Sequence, residues 1–139
     1  MDYMEMGQRL LNANLYGVAN HIGLSSITED EVVAYVDLSD EQKNPYGLAH
    51  GGVYFTLMDS ACGMLARVDG RRYVTLDAQI HYLMSTKTGR ITGTGHIVRR
   101  GRSTTVVEMT IRDEHGTALT NGTVTMYCLD PDKKPFRDV

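Results

Sequence analysis

Apolar positions along this chain recur with two different periods, and the switches between them mark out the elements. Met6, Leu10, Leu11, Leu15 and Val18 recur at helical spacing, which predicts an amphipathic N-terminal helix within residues 1–20, running from residue 2. Gly17 and the Asn20–Gly23 stretch interrupt it. Residues 31–38 alternate, with Val32, Ala34, Val36 and Leu38 on one face, as in a half-buried strand. Asn44-Pro45-Tyr46-Gly47 is loop chemistry. Residues 52–68 are apolar on nearly every side, which predicts a helix buried almost all round. After Asp69-Gly70 the period drops to two. Val74, Leu76, Ala78, Ile80, Tyr82 and Met84 share one face of a long strand, and Thr75, Asp77, Gln79 and His81 the other. Residues 90–99 and 103–112 read as two more strands around Arg100-Gly101-Arg102, and residues 117–128 as a last one. The 129–139 tail is polar and reads as frayed.

Helix, strand, buried helix and then four strands in succession imply an α+β fold. Strands joined by short turns imply an antiparallel meander, and a curved sheet wrapping the central helix gives that helix a surface to bury against. One domain over residues 1–139 accounts for the whole pattern, since no repeat or linker divides it. Hydrophobic residues at 42% and charged residues at 22% are globular proportions and argue against disorder. A net charge of −3 argues against a non-specific nucleic-acid binder, so any polyanionic ligand needs a local basic patch. Cys62 and Cys128 make no disulfide framework, and no Cys/His group has zinc spacing. No apolar run approaches the ~20 residues of a membrane span. Acidic residues stand near the N-terminus where a signal peptide carries positive charge. The expectation is a cytoplasmic protein with reduced thiols, no membrane or nucleic-acid partner, no metal and no cofactor.

The most informative stretch runs from Asn44 to Asp59. His50-Gly51-Gly52 stands immediately before the buried helix. Amides at a helix start lack internal partners and carry the positive end of the dipole, so an oxygen gaining negative charge is stabilised there. The plainer reading is a tight loop-to-helix turn. Asp59 falls mid-helix, near Phe55, Cys62 and Ala66 on the wheel and beside Thr56, Ser60 and Gly63. A carboxylate there needs partners or a function. Arg99, Arg100 and Arg102, with Ser103 and Thr104 behind them, form either a solvated turn or a phosphate clamp, because guanidinium forks match phosphate geometry. Cys62 has no base beside it and reads as a buried thiol. His81 shares a strand face with Gln79 and Asp77, and spacing alone gives it no role.

A loop Asn, then His-Gly-Gly, then a helix with Asp nine residues after the His resembles the hotdog-fold acyl-CoA thioesterases, most closely the phenylacetate-degradation (PaaI-type) branch. Asn44, His50, Gly51, Gly52 and Asp59 carry the resemblance, together with the Asp77–Tyr82 strand, Gly89 and the arginine turn. It spans roughly residues 20–128. The resemblance implies a long central helix wrapped by an antiparallel sheet, and a homodimer that joins two sheets, often as a dimer of dimers. It implies a site at the protomer interface that hydrolyses an acyl-CoA thioester. There Gly51 polarises the carbonyl, Asp59 is the catalytic carboxylate, and Asn44 and His50 position water or thioester. Thr75 matches a position that assists the water, although its strand face is opposite the apolar one. Gly52, Arg99, Arg100, Arg102 and Ser103 would hold the substrate, the arginines through coenzyme A phosphates. Ser85 departs from a common Pro in the loop.

Two other classes compete. A hotdog enoyl-CoA hydratase pairs an Asp with a His a few residues downstream, but no His follows Asp59 before His81. A non-catalytic acyl-CoA-binding module could dispense with the carboxylate. Ala61, Gly63, Ala66, Met58, Met64 and Met84 are candidates to line the acyl pocket, and they do not tell aromatic from aliphatic chains.

Overall fold

Asp2 starts the first helix by accepting the Glu5 N–H at 3.0 Å. The computed structural model describes residues 2–136. Helix α1 (Tyr3–Ala13) ends at Asn14, whose N–H reaches the carbonyls of Leu10 and Leu11. The Asn14 side chain then accepts the Gly17 N–H at 3.1 Å and opens a second helix, α2 (Leu15–Ala19). Asn is a strong N-cap residue, so the single helix expected over residues 2–20 is two. The break has a consequence for packing: Leu11 is buried, whereas Leu15 and Val18 stay exposed.

Strand β1 (Ile22–Ile27) follows, and the sequence pattern missed it. Only its end residues are buried, and an irregularity between Leu24 and Ser26 breaks the alternation. Strand β2 (Glu31–Asp37) alternates as expected, with Val32, Ala34 and Val36 inside. Helix α3 (Gly51–Arg67) then runs through the molecule against β2 and four later strands: β3 (Tyr73–Tyr82), β4 (Arg90–Arg100), β5 (Thr104–Arg112) and β6 (Ala118–Cys128). All pairings in the six-stranded sheet are antiparallel, in the order β1-β2-β4-β5-β6-β3. The expected hotdog arrangement, a sheet wrapped on a central helix, is therefore present.

Two expectations are corrected. The last four strands are not a simple meander: β4, β5 and β6 are, but β3 pairs with β6 at the far edge. The segment after β3 passes the start of α3, where Thr86 accepts the Ala49 N–H, and reaches β4 beside β2. Nor is α3 buried all round. Leu57, Met58, Ala61, Cys62, Leu65 and Ala66 are sealed in the core, but Gly52, Phe55, Thr56, Asp59, Ser60 and Arg67 leave a stripe that reaches solvent. Gly122 on β6 permits the close approach of α3, since a Cβ there would lie 2.6 Å from Met58 Sδ.

At its other end α3 is tied to the sheet by buried charge. Arg100 Nη1 donates to Asp69 Oδ2 at 2.7 Å and to the Ala66 carbonyl at 2.8 Å, and Nη2 reaches the Leu65 carbonyl at 3.1 Å. Arg71 Nε and the Tyr73 hydroxyl also donate to Asp69 Oδ2. The described part of the tail, residues 129–136, joins this end rather than fraying, and residues 137–139 of that expectation lie outside the described residues. Asp69 accepts the Phe136 N–H through its carbonyl, and Lys133 Nζ donates to the Gly70 carbonyl at 2.9 Å. Replacing Arg100 with Met should cost about 3–5 kcal/mol, as expected when one partner of a buried ion pair is stranded. Urea unfolding should show a lower midpoint at an unchanged slope.

Candidate functional site

The start of α3 is built by His50. Its backbone is extended (φ −64°, ψ 139°), and its Nδ1 accepts the Gly52 N–H at 2.8 Å. A neutral His50 ring must then carry its proton on Nε2, so the side chain presents a donor outward. The cap uses the Gly52 amide. No acceptor among the described residues takes the Gly51 N–H, which points from the positive end of a 17-residue helix. The Tyr82 hydroxyl donates to the Gly51 carbonyl at 2.9 Å and holds that peptide. Tyr82 packs edge-on against Tyr54, with ring centroids 6.1 Å apart. A cavity of about 510 Å³ opens beside this turn, lined by Gly51, Tyr54, Tyr82, Leu83, Met84 and others.

Asp59 lies eight residues along the same helix. The Thr75 hydroxyl donates to its Oδ1 at 2.7 Å. Plain alternation along β3 puts Thr75 on the face away from the apolar residues, but the strand bulges at Leu76, between the paired residues Thr75 and Asp77. A bulge adds one residue and reverses the parity of the residues beyond it. Thr75 thus faces α3 together with Tyr73, Ala78 and Ile80, while Val74 and Leu76 turn outward and are 45% and 61% exposed. Asp59 and Thr75 open into a cavity of about 370 Å³, walled by Leu10, Ala13, Asn14 and Tyr16 and floored by Ser60 and Arg67. This lining differs from the one expected. Ala61, Gly63, Ala66, Met58 and Met64 belong to the buried core, and Met84 lies by Gly51. Tyr82 and Arg67 were not singled out. For Tyr82 the pattern gave no signal; for Arg67 the signal was its position four residues after a helical glycine.

The remaining expected residues divide by what their polar atoms already do. Asn44 Oδ1 accepts the N–H groups of Tyr46 and Leu48, at 2.9 and 3.1 Å, and so shapes the loop before His50. Arg100 is turned inward with a side chain 2% exposed, and its guanidinium holds Asp69 and the end of α3. The expected three-arginine clamp is thus reduced to Arg99 and Arg102, both exposed, of which Arg102 pairs with Asp132. With Lys133 and Lys134 they line a cleft of about 400 Å³. The Ser103 carbonyl accepts the Cys128 N–H, tying the hairpin to β6. Among the described residues no group of His, Cys, Asp or Glu could hold a metal ion, and no helix is long and apolar enough to cross a membrane.

Comparisons with known proteins converge on one family. The family model described as Thioesterase superfamily matches residues 46–120. The chain is 30% identical over 93 residues to the human protein named acyl-coenzyme A thioesterase 13, covering 65% of this chain and 66% of that one. It superposes with a TM-score of 0.80 and 26% identity on a Streptococcus pneumoniae protein described as a hypothetical thioesterase, in a structure with coenzyme A, covering 90% and 98% of the two chains. The Escherichia coli PaaI protein shares the fold, with a TM-score of 0.87 at 18% identity over 96% and 95% of the chains.

Both thiols are buried, and burial, followed by the neighbouring Asp59 charge, pushes the Cys62 thiol far up. A thiol held in that form is neither a nucleophile nor an alkylation target. Iodoacetamide should therefore leave Cys62 and Cys128 unmodified in the folded protein at pH 8 and label both after denaturation, as read by intact mass.

Proposed function

Because the chain belongs to the thioesterase superfamily, we propose that it hydrolyses an acyl-CoA thioester to the free acid and coenzyme A, at a site shared by two copies of the chain. The observation that carries this reading is the unpaired Gly51 amide at the head of a helix whose Asp59 is held by Thr75. The relatives point the same way: one is named for acyl-coenzyme A, and one structure includes coenzyme A. The Asn44, His50-Gly51-Gly52 and Asp59 pattern is our ground for the phenylacetate-degradation branch.

In this reading the thioester oxygen accepts the Gly51 N–H, and the charge it gains is stabilised by the helix end. Thr75 occupies Asp59 Oδ1 and leaves Oδ2 for chemistry. As a general base, Asp59 takes a proton from the attacking water; as a nucleophile, it forms a mixed anhydride that water then opens. In either route the C–S bond breaks and the coenzyme A thiolate departs. Arg99 and Arg102, with Lys133 and Lys134, supply cations for the coenzyme A phosphates.

The need for two copies follows from helix geometry. Eight residues at about 1.5 Å each separate Gly51 from Asp59 by roughly 12 Å, too far for both to engage one carbonyl. Strand β3 is an unpaired sheet edge, flanked by exposed Leu76, Tyr82, Leu83 and Met84. Such an edge invites a strand from another chain. Two-fold pairing of β3 with its copy runs the two α3 helices antiparallel, so Asp59 of one protomer approaches the partner's Gly51. The hydratase alternative pairs its Asp with a His a few residues downstream, and no His follows Asp59 on α3.

Release of free thiol from a panel of acyl-CoAs tests the hydrolysis, and its absence across the panel would overturn it. Asp59→Asn should lower kcat by ~10²–10⁴, with melting temperature and KM little changed. Gly51→Pro deletes only the amide donor, since proline is favoured at the first helical position and His50 already has the extended backbone that precedes proline. It should lower kcat by ~10²–10³. Co-refolding the two inactive variants in equal amounts should restore about a quarter of wild-type activity, because half the dimers are mixed and each mixed dimer holds one intact site. No recovery on mixing would place the whole site within one protomer.

A further inference from the structure

The Asp59 cavity contains one charged side chain that the chemistry above does not use. Arg67 lies in the last turn of α3, two turns beyond Asp59. Long helical side chains lean toward the helix N-terminus, and here the lean is unobstructed because residue 63 is glycine. A Cβ at Gly63 would lie 2.7 Å from Arg67 Nη1 and 3.5 Å from Cζ. The guanidinium therefore lies over Gly63, one turn below Asp59, on the cavity floor. Its Nη2 donates to the Tyr73 carbonyl at 2.9 Å. Arg71, Arg72, Arg90, Arg100 and Arg102 each pair with a carboxylate, but Arg67 has no carboxylate at ion-pair distance among the described residues. Burial lowers its pKa, opposed by the charge of Asp59. The Thr75 hydroxyl is committed to Asp59. A half-buried guanidinium with unspent donors faces the space beside the catalytic carboxylate.

We propose that Arg67 is a specificity-determining residue that recognises an oxygen acceptor on the acyl group. The inference rests on the hydrolase reading of the same site and adds the substrate class. Residues four apart on a helix face lie about 5–6 Å from each other, so the acceptor sits about that far beyond the thioester carbonyl. An acyl chain of about five carbons, ending in a carboxylate or a hydroxyl, spans that distance. A hydrocarbon of the same length leaves the donors not used by Tyr73 desolvated without a partner, which is the basis of discrimination against it.

Three thioesters of matched length test this: glutaryl-CoA, 5-hydroxypentanoyl-CoA and hexanoyl-CoA. Wild-type kcat/KM should favour at least one oxygenated substrate over hexanoyl-CoA by about tenfold or more, mainly through KM. The favoured arm identifies the acceptor as anionic or neutral. Arg67→Met should bring the ratio close to one. Gly63→Ala, which keeps the arginine and displaces its guanidinium, should do the same and serves if Arg67→Met does not fold. The proposal is overturned if the wild type shows no preference, or if the variants slow all three substrates equally. Binding of the corresponding thioether analogues, measured by calorimetry, separates this result from the hydrolase reading. An Arg67-dependent preference in binding without thiol release from any thioester would sink hydrolysis and leave this inference standing. Hydrolysis without the preference would sink this inference alone.

Discussion

The last carbonyls of α3 have no further helical turn to satisfy them, and they end inside the molecule rather than in water. Arg100 answers both problems. Its guanidinium takes the carbonyls of Leu65 and Ala66, and its charge is met by Asp69 just past the helix end. Arg71 shares Asp69 and binds the carbonyls of Gly101 and Arg102 in the β4–β5 hairpin. A buried ion pair is a poor source of net stability, because desolvation offsets most of the attraction. Its effect here is positional. Donors in a fixed fork accept one placement of helix against hairpin, so the axial position of α3 is set at this end.

The axial position matters because both groups of the proposed site, Gly51 and Asp59, ride on α3. Gly51 meets Tyr82 at one level of the sheet, and Asp59 meets Thr75 at another. A slip of the helix by one residue would carry each group about 1.5 Å along the axis and about 100° around it. Tyr82 and Thr75 belong to the same edge strand, so β3 acts as the ruler against which the helix is set. The bulge at Leu76 lets one strand serve both contacts. Without it, an odd-numbered residue and an even-numbered residue could not both face the helix.

Much of this was legible in the chain. The change of period at Asp69-Gly70 marked the end of α3, the alternation in residues 31–38 marked one strand, and the segments 90–99, 103–112 and 117–128 set off by turns marked three more. His50-Gly51-Gly52 followed by Asp59 pointed to the helix head and its carboxylate. What was not legible depended on contacts between distant segments. Arg100 looks like any hairpin arginine until Asp69 and the end of α3 are brought beside it. Thr75 sits on the wrong face by counting, because a bulge is a property of the pairing with β6 and not of the strand's own residues. β1 escaped notice because Ser25 and Ser26 are both exposed and an irregularity between Leu24 and Ser26 breaks its alternation. The division of the N-terminal helix was written in Asn14, a residue whose capping strength competes with the apolar period running through it.

The wall of the Asp59 cavity has a different provenance from its floor. Leu10, Ala13, Asn14 and Tyr16 come from α1 and α2, whereas Asp59, Ser60, Arg67 and Thr75 come from the helix and strand at the heart of the fold. The stretch that matches the family model begins at residue 46, so the N-terminal helices stand outside it. Tyr16 is 69% exposed, and replacing it disturbs no core contact. Most of the cavity wall and the proposed chemistry are thereby encoded in separate stretches of sequence. Exposed positions there, such as Tyr16, can drift, and with them the outline of what fits, while Leu11 stays locked in the core and the helix head and Asp59 of the proposed site are untouched. A fold that divides the work this way can acquire new substrates by small steps that each leave a folded, working catalyst.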